Sequence, residues 1–451
     1  MKLKTLVKGS KIVGKDVEVT GLSADSRTTA PGHLFIAKRG GAEFIVKAVE
    51  AGAVAVVTDL YDPFLKVPQV ITNEEMEAKL ASRFYGAPSK ELFMVGVTGT
   101  KGKTTTSYMA QWILGGGLMS TVETVIGEER RLSTLTTHSA ILTQKFLREM
   151  VGKGCKSAVL EVSSHGLDQG RVDEIEFQVG VFTNLFPDHL DYHGTVGEYA
   201  KAKKKLFGMA KKAVLNADNP WAEYMGQGMT FGIEKEADLR ATGIEFSAAG
   251  TSFWVEGLRF EIGLMGRFNV YNALGAMGVG LLAGMSLEEI AKRLKTFEMV
   301  PGRLERVPNK KGAWVFVDYA HNGEALANVL IALREIARKR IICVFGCGGN
   351  RDPARRTEKA RSSEKYADVS IVTSDNPRKE DPEAICEQIA GAFGKRPRII
   401  VNRKEAIEHA IAMAEAEDIV LIAGKGHEKV QIFAHHTIPF DDVAIAKEAG
   451  I

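Results

Sequence analysis

The sequence predicts an α/β protein of three domains built around mostly parallel sheets. Three observations carry that expectation. The chain has 451 residues, more than one hydrophobic core usually organises. Its apolar runs are short and continuous, and they alternate with helical stretches, the pattern of strands covered on both faces. One run, "VGVTGTKGKTTTSYM" from Val95 to Met109, passes from an apolar strand through a glycine turn into a helix.

Residues 1–90 carry short elements: "HLFIA" and "AVAVVTD" as strands, "FIVKAVEAGA" as a helix closed by Gly52. This reads as a small α/β domain ending at "YGAPSKE". Residues 91–300 open with strand "LFMVGVTG", the glycine turn and helix "TTTSYMAQWIL". Strands "SAVLEVSS", "VGVFTNL" and "KAVLNAD" follow. Trp254 to Ile262 with "GLMGRFN" reads as a local antiparallel addition, and "NALGAMGVGLLAGM" as a buried helix. Residues 301–451 begin near "VPGRLERV" and alternate strands "WVFVDYA", "RIICVFG", "DVSIVTSD", "RIIVN" and "DIVLIAGKG" with helices, again in βαβ style.

Composition excludes several classes. The 59 Lys and Arg against 56 Asp and Glu leave a formal charge of +3, too balanced for a nucleic-acid or membrane-surface binder. The 45% hydrophobic and 25% charged shares are ordinary for a soluble globular protein. The start "MKLKTLVKGSKIVGKD" lacks the apolar run of a signal peptide, and no stretch of about 18 apolar residues suits a membrane span. The four cysteines (Cys155, Cys343, Cys347, Cys386) are scattered, which suits a reduced cytoplasm better than a disulfide framework. Cys343 and Cys347 have no second pair beside them, so buried small hydrophobes are expected there rather than zinc.

In open α/β sheets ligands sit outside the carboxyl ends of strands. Those ends carry "GTKGKTT", "EVSSHGLDQGR", "TNLFPDHLDYHG", "DYAHN", "GCGGNRD", "SDNPRKED" and "AGKGHEK". The first fails the generic Walker pattern, because Val97 stands where that pattern needs glycine. It still has the working parts. Gly99 and Gly102 let backbone N–H groups face an anion at a helix N-terminus, Lys103 can reach terminal phosphates, and the Thr104 hydroxyl can ligate Mg²⁺. A chance Gly/Thr turn is the bland alternative, and the strand–GxGKT–helix order favours nucleotide binding.

Glu161 ends an apolar strand, where an uncompensated carboxylate is costly. Either a metal ion near Thr104 or ordinary hydrogen bonds would compensate it. Ser163, His165, Gln169 and Arg171 form a polar set suited to an anionic sugar-nucleotide or peptide. His189 and His193 stand at i, i+4, a zinc-compatible spacing without the remaining ligands, so His189 alone as a Mg²⁺ ligand or supporting group suits the site better. In "EYAKAKKKLFG", Tyr199, Ala202, Leu206 and Phe207 form one helical stripe. Lys203 falls in the middle of it, while Lys201, Lys204 and Lys205 do not. An inward Lys either snorkels or is converted by CO₂ into a carbamate, a carboxylate-like Mg²⁺ ligand. Further on, Asp318 ends a strand where it could bond a ribose, and Arg303 could reach a γ-phosphate. "GCGGNRD" lacks the third glycine of a dinucleotide fingerprint, so no NAD site is expected. Arg351 and Arg378 are fork-shaped donors for carboxylates, and Glu428 with the Gly424 backbone could receive an ammonium group. Surface salt bridges are the alternative for that set.

Together these loops resemble the Mur ligase family, ATP-dependent amide-forming enzymes of peptidoglycan precursor synthesis. The resemblance runs over nearly the whole chain in fixed order: "DSRTTAPGHLFIA", "GVTGTKGKTTT", "LTTHSA", "EVSSHGLDQGRV", "TNLFPDHLDYHGT", "YAKAKKKLF", "GRFNVYNALGA", "PGRLERV", "VDYAHN", "GCGGNRD", "SDNPR", "AGKGHE". It implies an N-terminal domain for the uridine nucleotide, a central P-loop ATPase-type domain and a Rossmann-like C-terminal domain for the incoming amino acid. It implies ATP as co-substrate, Mg²⁺ as cofactor, and a carboxylate activated as an acyl phosphate before an amine attacks it. By resemblance, ATP meets Gly99, Thr100, Gly102, Lys103, Thr104, Thr105, Asn272, Arg303 and Asp318. The metal meets Thr104, Glu161, His189 and Lys203 as carbamate; Lys103, Lys203, His189 and Arg303 are the catalytic set. A UDP-N-acetylmuramoyl dipeptide meets Ser26, Thr136, Thr137, Ser163, Gln169 and Arg171. The amino acid meets Arg351, Asp375, Asn376, Arg378, Gly424 and Glu428. "DNPR" is the form associated with meso-diaminopimelate, whose distal carboxylate Arg378 can hold; lysine lacks it. The expected state is a cytoplasmic monomer without nucleic-acid or membrane partners. The chain departs from the family at Leu135, where Asn is usual, at His138, and at Asn322 and Gly323, where Thr-Pro is common. It is also short between Arg39 and Phe44, within "ILGGGLMST" and at its C-terminal stretch.

Overall fold

The computed structural model describes residues 1–37, 41–247 and 250–450. The short segment between Arg39 and Phe44 lies partly outside them. The chain forms two compact units, Met1–Arg240 with Leu274–Leu287, and Ala241–Ala273 with Glu288–Ile451.

The first unit holds two sheets. The smaller one comprises β1 (Lys11–Val13), β2 (Gly21–Ser23), β3 (His33–Ile36), β4 (Ala55–Thr58) and β5 (Gln69–Ile71), ordered β1-β5-β4-β3-β2. Only β1 runs antiparallel. Leu34, Ile36, Ala55, Val57 and Val70 join Leu3, Leu6 and Leu80 in one core. The expected helix is Ile45–Glu50 after a 3₁₀ turn, and Gly52 at φ 102° follows it, a conformation that glycine adopts without strain.

The larger sheet has nine strands: β6 (Phe93–Thr98), β7 (Gly117–Met119), β8 (Glu123–Ile126), β9 (Glu129–Leu132), β10 (Ser157–Glu161), β11 (Phe177–Phe182), β12 (Ala210–Asn216), β13 (Met229–Gly232) and β14 (Leu239–Arg240). Their order is β14-β13-β12-β11-β6-β10-β7-β8-β9. All neighbours from β14 to β7 are parallel, and β8 and β9 add an antiparallel end. The chain leaves β6 toward β7 to β10 on one side and returns to β11 on the other. The carboxyl end of β6 is therefore the switch point where ligands bind in such sheets. Met94, Val95 and Val97 are wholly buried, as a strand covered on both faces requires.

Two helices fix the site on that sheet. Lys103–Leu114 starts at Gly102 (φ 81°) and ends at Gly115 (φ 72°), the left-handed residue that commonly terminates helices. Val196–Met209 starts at Thr195, whose hydroxyl accepts the Glu198 N–H. Gly96 of β6 has no side chain, and a Cβ there would meet Leu206 at 2.7 Å and Phe177 at 3.0 Å. That close approach seats the helix on β6 and brings Lys203, one turn earlier, toward the phosphate loop.

The second unit contains the antiparallel sheet of β15 (Thr242–Ser247), β16 (Gly250–Val255) and β17 (Leu258–Ile262), one strand more than the sequence suggests. Its main sheet is β18 (Glu305–Val307), β19 (Trp314–Asp318), β20 (Ile341–Phe345), β21 (Val369–Val372), β22 (Arg398–Ile399) and β23 (Ile419–Ala423), ordered β18-β19-β23-β20-β21-β22. Only the β18 edge is antiparallel. One core, with Leu326, Leu330, Ala360 and Ile385, covers one face, and another, with Ala406, Ile407, Ile411 and Ala446, covers the other. A hairpin of β24 (Val430–Ile432) and β25 (Thr437–Pro439) follows. Among the described residues no helix is long and apolar enough to cross a membrane.

Candidate active site

The phosphate loop is held by side chains from the end of β11. Thr100 N donates to Asn184 O at 2.9 Å, and Lys101 N to Asn184 Oδ1 at 2.9 Å. The Thr183 hydroxyl donates to Lys101 O at 2.7 Å. The Thr100 hydroxyl lies 3.2 Å from Tyr199 OH and accepts Phe186 N at 3.0 Å. Gly99 sits at φ 151°, where a side chain would overlap the Thr183 hydroxyl. The loop is thus preformed, with Thr104 and Thr105 buried in the first helical turn. The Lys103 ammonium folds back to Thr100 O at 3.0 Å.

Glu161 closes this cradle. β10 pairs with β6 so that Glu161 stands opposite Val97, and its carboxylate is 3% exposed as a residue. Thr104 Oγ1 lies 3.1 Å from both of its oxygens. Thr121, a residue outside every motif read from the sequence, donates to Oε2 through both N–H and hydroxyl at 2.9 Å. A hydroxyl and a carboxylate in contact at a helix N-terminus are hard oxygen donors, the set that Mg²⁺ accepts alongside phosphate oxygens.

Lys203 is 1% exposed, so the inward reading holds over snorkelling. Its amine donates to Gly99 O at 2.8 Å and lies 4.4 Å from the centre of the Tyr199 ring. Burial, and then repulsion by Lys103, push its pKa well below the usual lysine range, while Asp188 and Glu161 oppose the shift. A buried amine held toward its neutral form is a nucleophile.

The two histidines of "DHLDYHG" do not share a helical face. His189 has φ 54° and caps a helix of only four residues, Leu190–His193. Both instead pack edge-on against His165, at 5.0 and 5.4 Å between centroids, with Tyr192 tilted on the same ring at 4.2 Å. His193 Nε2 lies 3.0 Å from Ser164 Oγ. Burial lowers the pKa of all three rings, keeping them neutral at physiological pH. Among the described residues no three His, Cys, Asp or Glu side chains gather into a metal-binding group.

Beyond Glu161 the polar set is continuous. The Thr137 hydroxyl lies 3.0 Å from Glu161 O and 3.1 Å from Ser163 Oγ. Arg171 donates to Thr137 O at 2.8 Å and grips Gln169 Oε1 through Nε and Nη2. Thr136 Oγ1 is 3.1 Å from Thr121 Oγ1. Thr136, Thr137, Ser163, Gln169 and Arg171 are therefore brought together. Leu135 beside them is exposed. Ser26 belongs to the smaller sheet, in the turn after β2 where Arg27 clamps the Asp25 carboxylate at 2.6 to 3.2 Å.

The second unit carries its own cluster. Asn376 Nδ2 donates to Glu428 Oε2 at 2.8 Å, and Lys425 Nζ bridges Asn376 Oδ1 and the same Glu428 oxygen at 2.9 Å. Arg378, at φ 53°, donates to Gly349 O at 2.9 Å. Asp375 lies against Gly424, where an added Cβ would be 2.7 Å from its oxygen. Burial raises the Asp375 pKa, but Arg403, Lys359 and Lys425 outweigh that and hold it below the usual range. Arg351 is exposed beside this group. Local pattern does not mark Lys359 and Arg403, and only the position of Lys425 between glycines in "GKG" signals it. Asp318 accepts the Leu304 N–H at 2.8 Å, and burial raises its pKa although Arg303 opposes this. The Arg303 guanidinium stacks on Tyr319 at 5.3 Å, and its Nε is buried without a hydrogen-bond partner. Asn272 is buried and donates to Asn269 at 3.0 Å.

A strand–glycine turn–helix cradle, a threonine and a carboxylate in contact within it, and a buried lysine beside it define a nucleotide-dependent transfer enzyme of α/β type. The chain belongs to the Mur ligase family. The pattern of the Mur ligase middle domain matches residues 97–280, and that of the Mur ligase glutamate ligase domain matches residues 302–426. A UDP-N-acetylmuramoyl-L-alanyl-D-glutamate–2,6-diaminopimelate ligase of Chlamydia muridarum is 43% identical, covering 98% of this chain and 97% of that protein. One of the same name from Bacillus cereus is 42% identical, covering 100% and 98%. A solved structure of a ligase of that name superposes with a TM-score of 0.71 at 30% identity, over 100% of this chain and 98% of the other.

Proposed function

We infer that the chain is an ATP-dependent, ADP-forming amide ligase of peptidoglycan precursor synthesis. It adds meso-diaminopimelate to UDP-N-acetylmuramoyl-L-alanyl-D-glutamate, the reaction named by relatives that match over 97% and 98% of their length. The observation that carries the reading is the contact of Thr104 with Glu161 inside the preformed loop, beside the buried Lys203 amine. The terminal D-glutamyl carboxylate attacks the γ-phosphorus of ATP, giving an acyl phosphate and ADP. The amine of the amino acid then attacks that carbonyl, and phosphate leaves with the C–O electron pair. Neither step needs a protein nucleophile, so catalysis is positioning and charge neutralisation.

The N–H groups of Gly102, Thr104 and Thr105 at the helix start and the Lys103 ammonium suit the ATP phosphates, with Gly99 and Thr100 shaping the loop around them. Asn272, Arg303 and Asp318 match the family's other ATP positions, and the unpaired Arg303 Nε supports an anionic partner there. Mg²⁺ would be held by Thr104, Glu161, His189 and Lys203 as carbamate, and when bound it neutralises phosphate charge. Ser26, Thr136, Thr137, Ser163, Gln169 and Arg171 would receive the muramyl nucleotide. Arg351, Asp375, Asn376, Arg378, Gly424 and Glu428 would receive the amino acid, with Arg378 on the distal carboxylate. A division near residues 90 and 300 assigns these tasks to three domains. A cytoplasmic location belongs to the same proposal, since all three substrates are water-soluble, and a monomer is the state proposed with it.

The experiment is phosphate release from ATP with the muramyl dipeptide nucleotide and a panel of amino acids. Release should require meso-diaminopimelate. Equal turnover with lysine would remove the specificity assigned to Arg378, and no product with any amino acid would overturn the ligase reading.

A further inference from the structure

Thr121 lies outside the ordered motifs yet makes as many contacts with the Glu161 carboxylate as Thr104 of the phosphate loop. Parallel pairing sets Met119 of β7 opposite Leu160 of β10, so the turn after β7 arrives beside Glu161. That turn is rigid. The Ser120 hydroxyl accepts Val122 N and Glu123 N at 3.2 Å and donates to Glu123 O at 3.0 Å. Glu123 in turn binds the Tyr108 hydroxyl at 3.0 Å and pairs with Arg130. From this base Thr121 sends both its donors to Glu161 Oε2. With Thr104 included, Oε2 faces three donors while Oε1 faces one.

The same hydroxyl also lies 3.1 Å from Thr136 Oγ1. A hydroxyl carries one hydrogen. Thr121 is the donor toward both oxygens, so Glu161 Oε2 and Thr136 Oγ1 compete for that one hydrogen.

We propose that Thr121 is a positioning residue that fixes the Glu161 carboxylate for its metal and couples it to the Thr136 hydroxyl. The proposal rests on reading Glu161 as a Mg²⁺ ligand and Thr136 as a muramyl contact. When substrate occupies the Thr136 oxygen, the Thr121 hydrogen goes wholly to Glu161 and holds the carboxylate in place for the metal. Substrate and metal then strengthen each other's binding, as reciprocity demands.

The test is Mn²⁺ binding, followed by electron paramagnetic resonance, to protein with ADP and no other substrate. Thr121→Val keeps shape and N–H but removes the hydroxyl; Thr121→Ser keeps the hydroxyl. Thr121→Val should weaken Mn²⁺ binding about tenfold or more, the usual effect of losing a support behind a ligand. Thr121→Ser should stay within about threefold of the parent. Thr136→Val should change Mn²⁺ affinity in the parent and not in the Thr121→Val background, since groups sharing one hydrogen are non-additive. Parent-like binding by Thr121→Val, or equal weakening by Thr121→Ser, overturns the proposal. If Thr121→Val shows no melting transition, Thr136→Val decides, and unchanged Mn²⁺ affinity in it overturns the coupling. A parent that neither binds Mn²⁺ with ADP nor forms product refutes the functional reading instead.

Discussion

Replacing Gly99 by alanine should disable the phosphate loop while the rest of the sheet survives. Gly99 adopts φ 151°, a conformation that costs a residue bearing Cβ about 1–3 kcal/mol. The new methyl would overlap the Thr183 hydroxyl and approach Asn184 O at 3.0 Å and Asn184 N at 3.1 Å. Thr183 must then rotate and give up its bond to Lys101 O, worth about 1 kcal/mol. Together these come to about 3 kcal/mol, roughly a hundredfold in nucleotide affinity if the loop absorbs them. Calorimetric titration with ADP and Mg²⁺ reads that directly, beside a thermal melt. Gly208 supplies the control. It lies in the helix carrying Lys203, its φ is not positive, and a Cβ there would meet nothing within 4 Å. Gly208→Ala should therefore bind ADP normally and melt no lower, since alanine favours a helix by up to about 1 kcal/mol. Parent-like ADP affinity and melting in Gly99→Ala would refute the reasoning.

Three further outcomes are expected. Lys203→Ala should lose ligase activity, short carboxylates should partly restore it, and the parent should slow in CO₂-depleted buffer; a CO₂-indifferent parent with an active variant would leave Lys203 an ordinary buried amine. Asp442→Ala should destabilise the second unit by about 3–5 kcal/mol in denaturant unfolding, because it strips the buried Arg403 fork of bonds at 2.7 and 2.8 Å, and a change below about 1 kcal/mol would contradict the pair's burial. His427, whose pKa burial and then Arg303 lower to about 4, binds its proton less readily folded than unfolded. Its share of stability is therefore complete above the unfolded value near 6.5 and falls away as pH drops toward 4. His427→Gln should flatten the melting profile across that window, and an unchanged slope would count against the shift.

What could be read from the sequence was whatever follows from periodicity, and the order of the motifs. Lys203 is the odd lysine of its run because a helix repeats every 3.6 residues, and it is the one buried. Glu161 and the loop glycines follow from the strand–turn–helix order. Partners chosen across long sequence separations were not legible. Thr121 meets Glu161 at a separation of 40, Lys425 meets Asn376 at 49, and Arg403 meets Asp442 at 39. Local spacing misled where a short turn broke the period. His189 and His193 suggest a helical metal pair, but with a left-handed His189 backbone their rings pack on His165 and Tyr199 instead. The motif "DNPR" shows a subtler limit. A polar residue at a strand end can face a ligand or hold the residue that does, and composition is the same in both cases. Asn376 spends its oxygen on Lys425 and the Ile432 N–H, and one amide hydrogen on Glu428. Lys425 and Asn376 converge on Glu428 Oε2 and leave Oε1 outside that network. An incoming ammonium group would then meet one prepared oxygen rather than a freely rotating carboxylate, and Lys425, which is buried, helps set that orientation from behind.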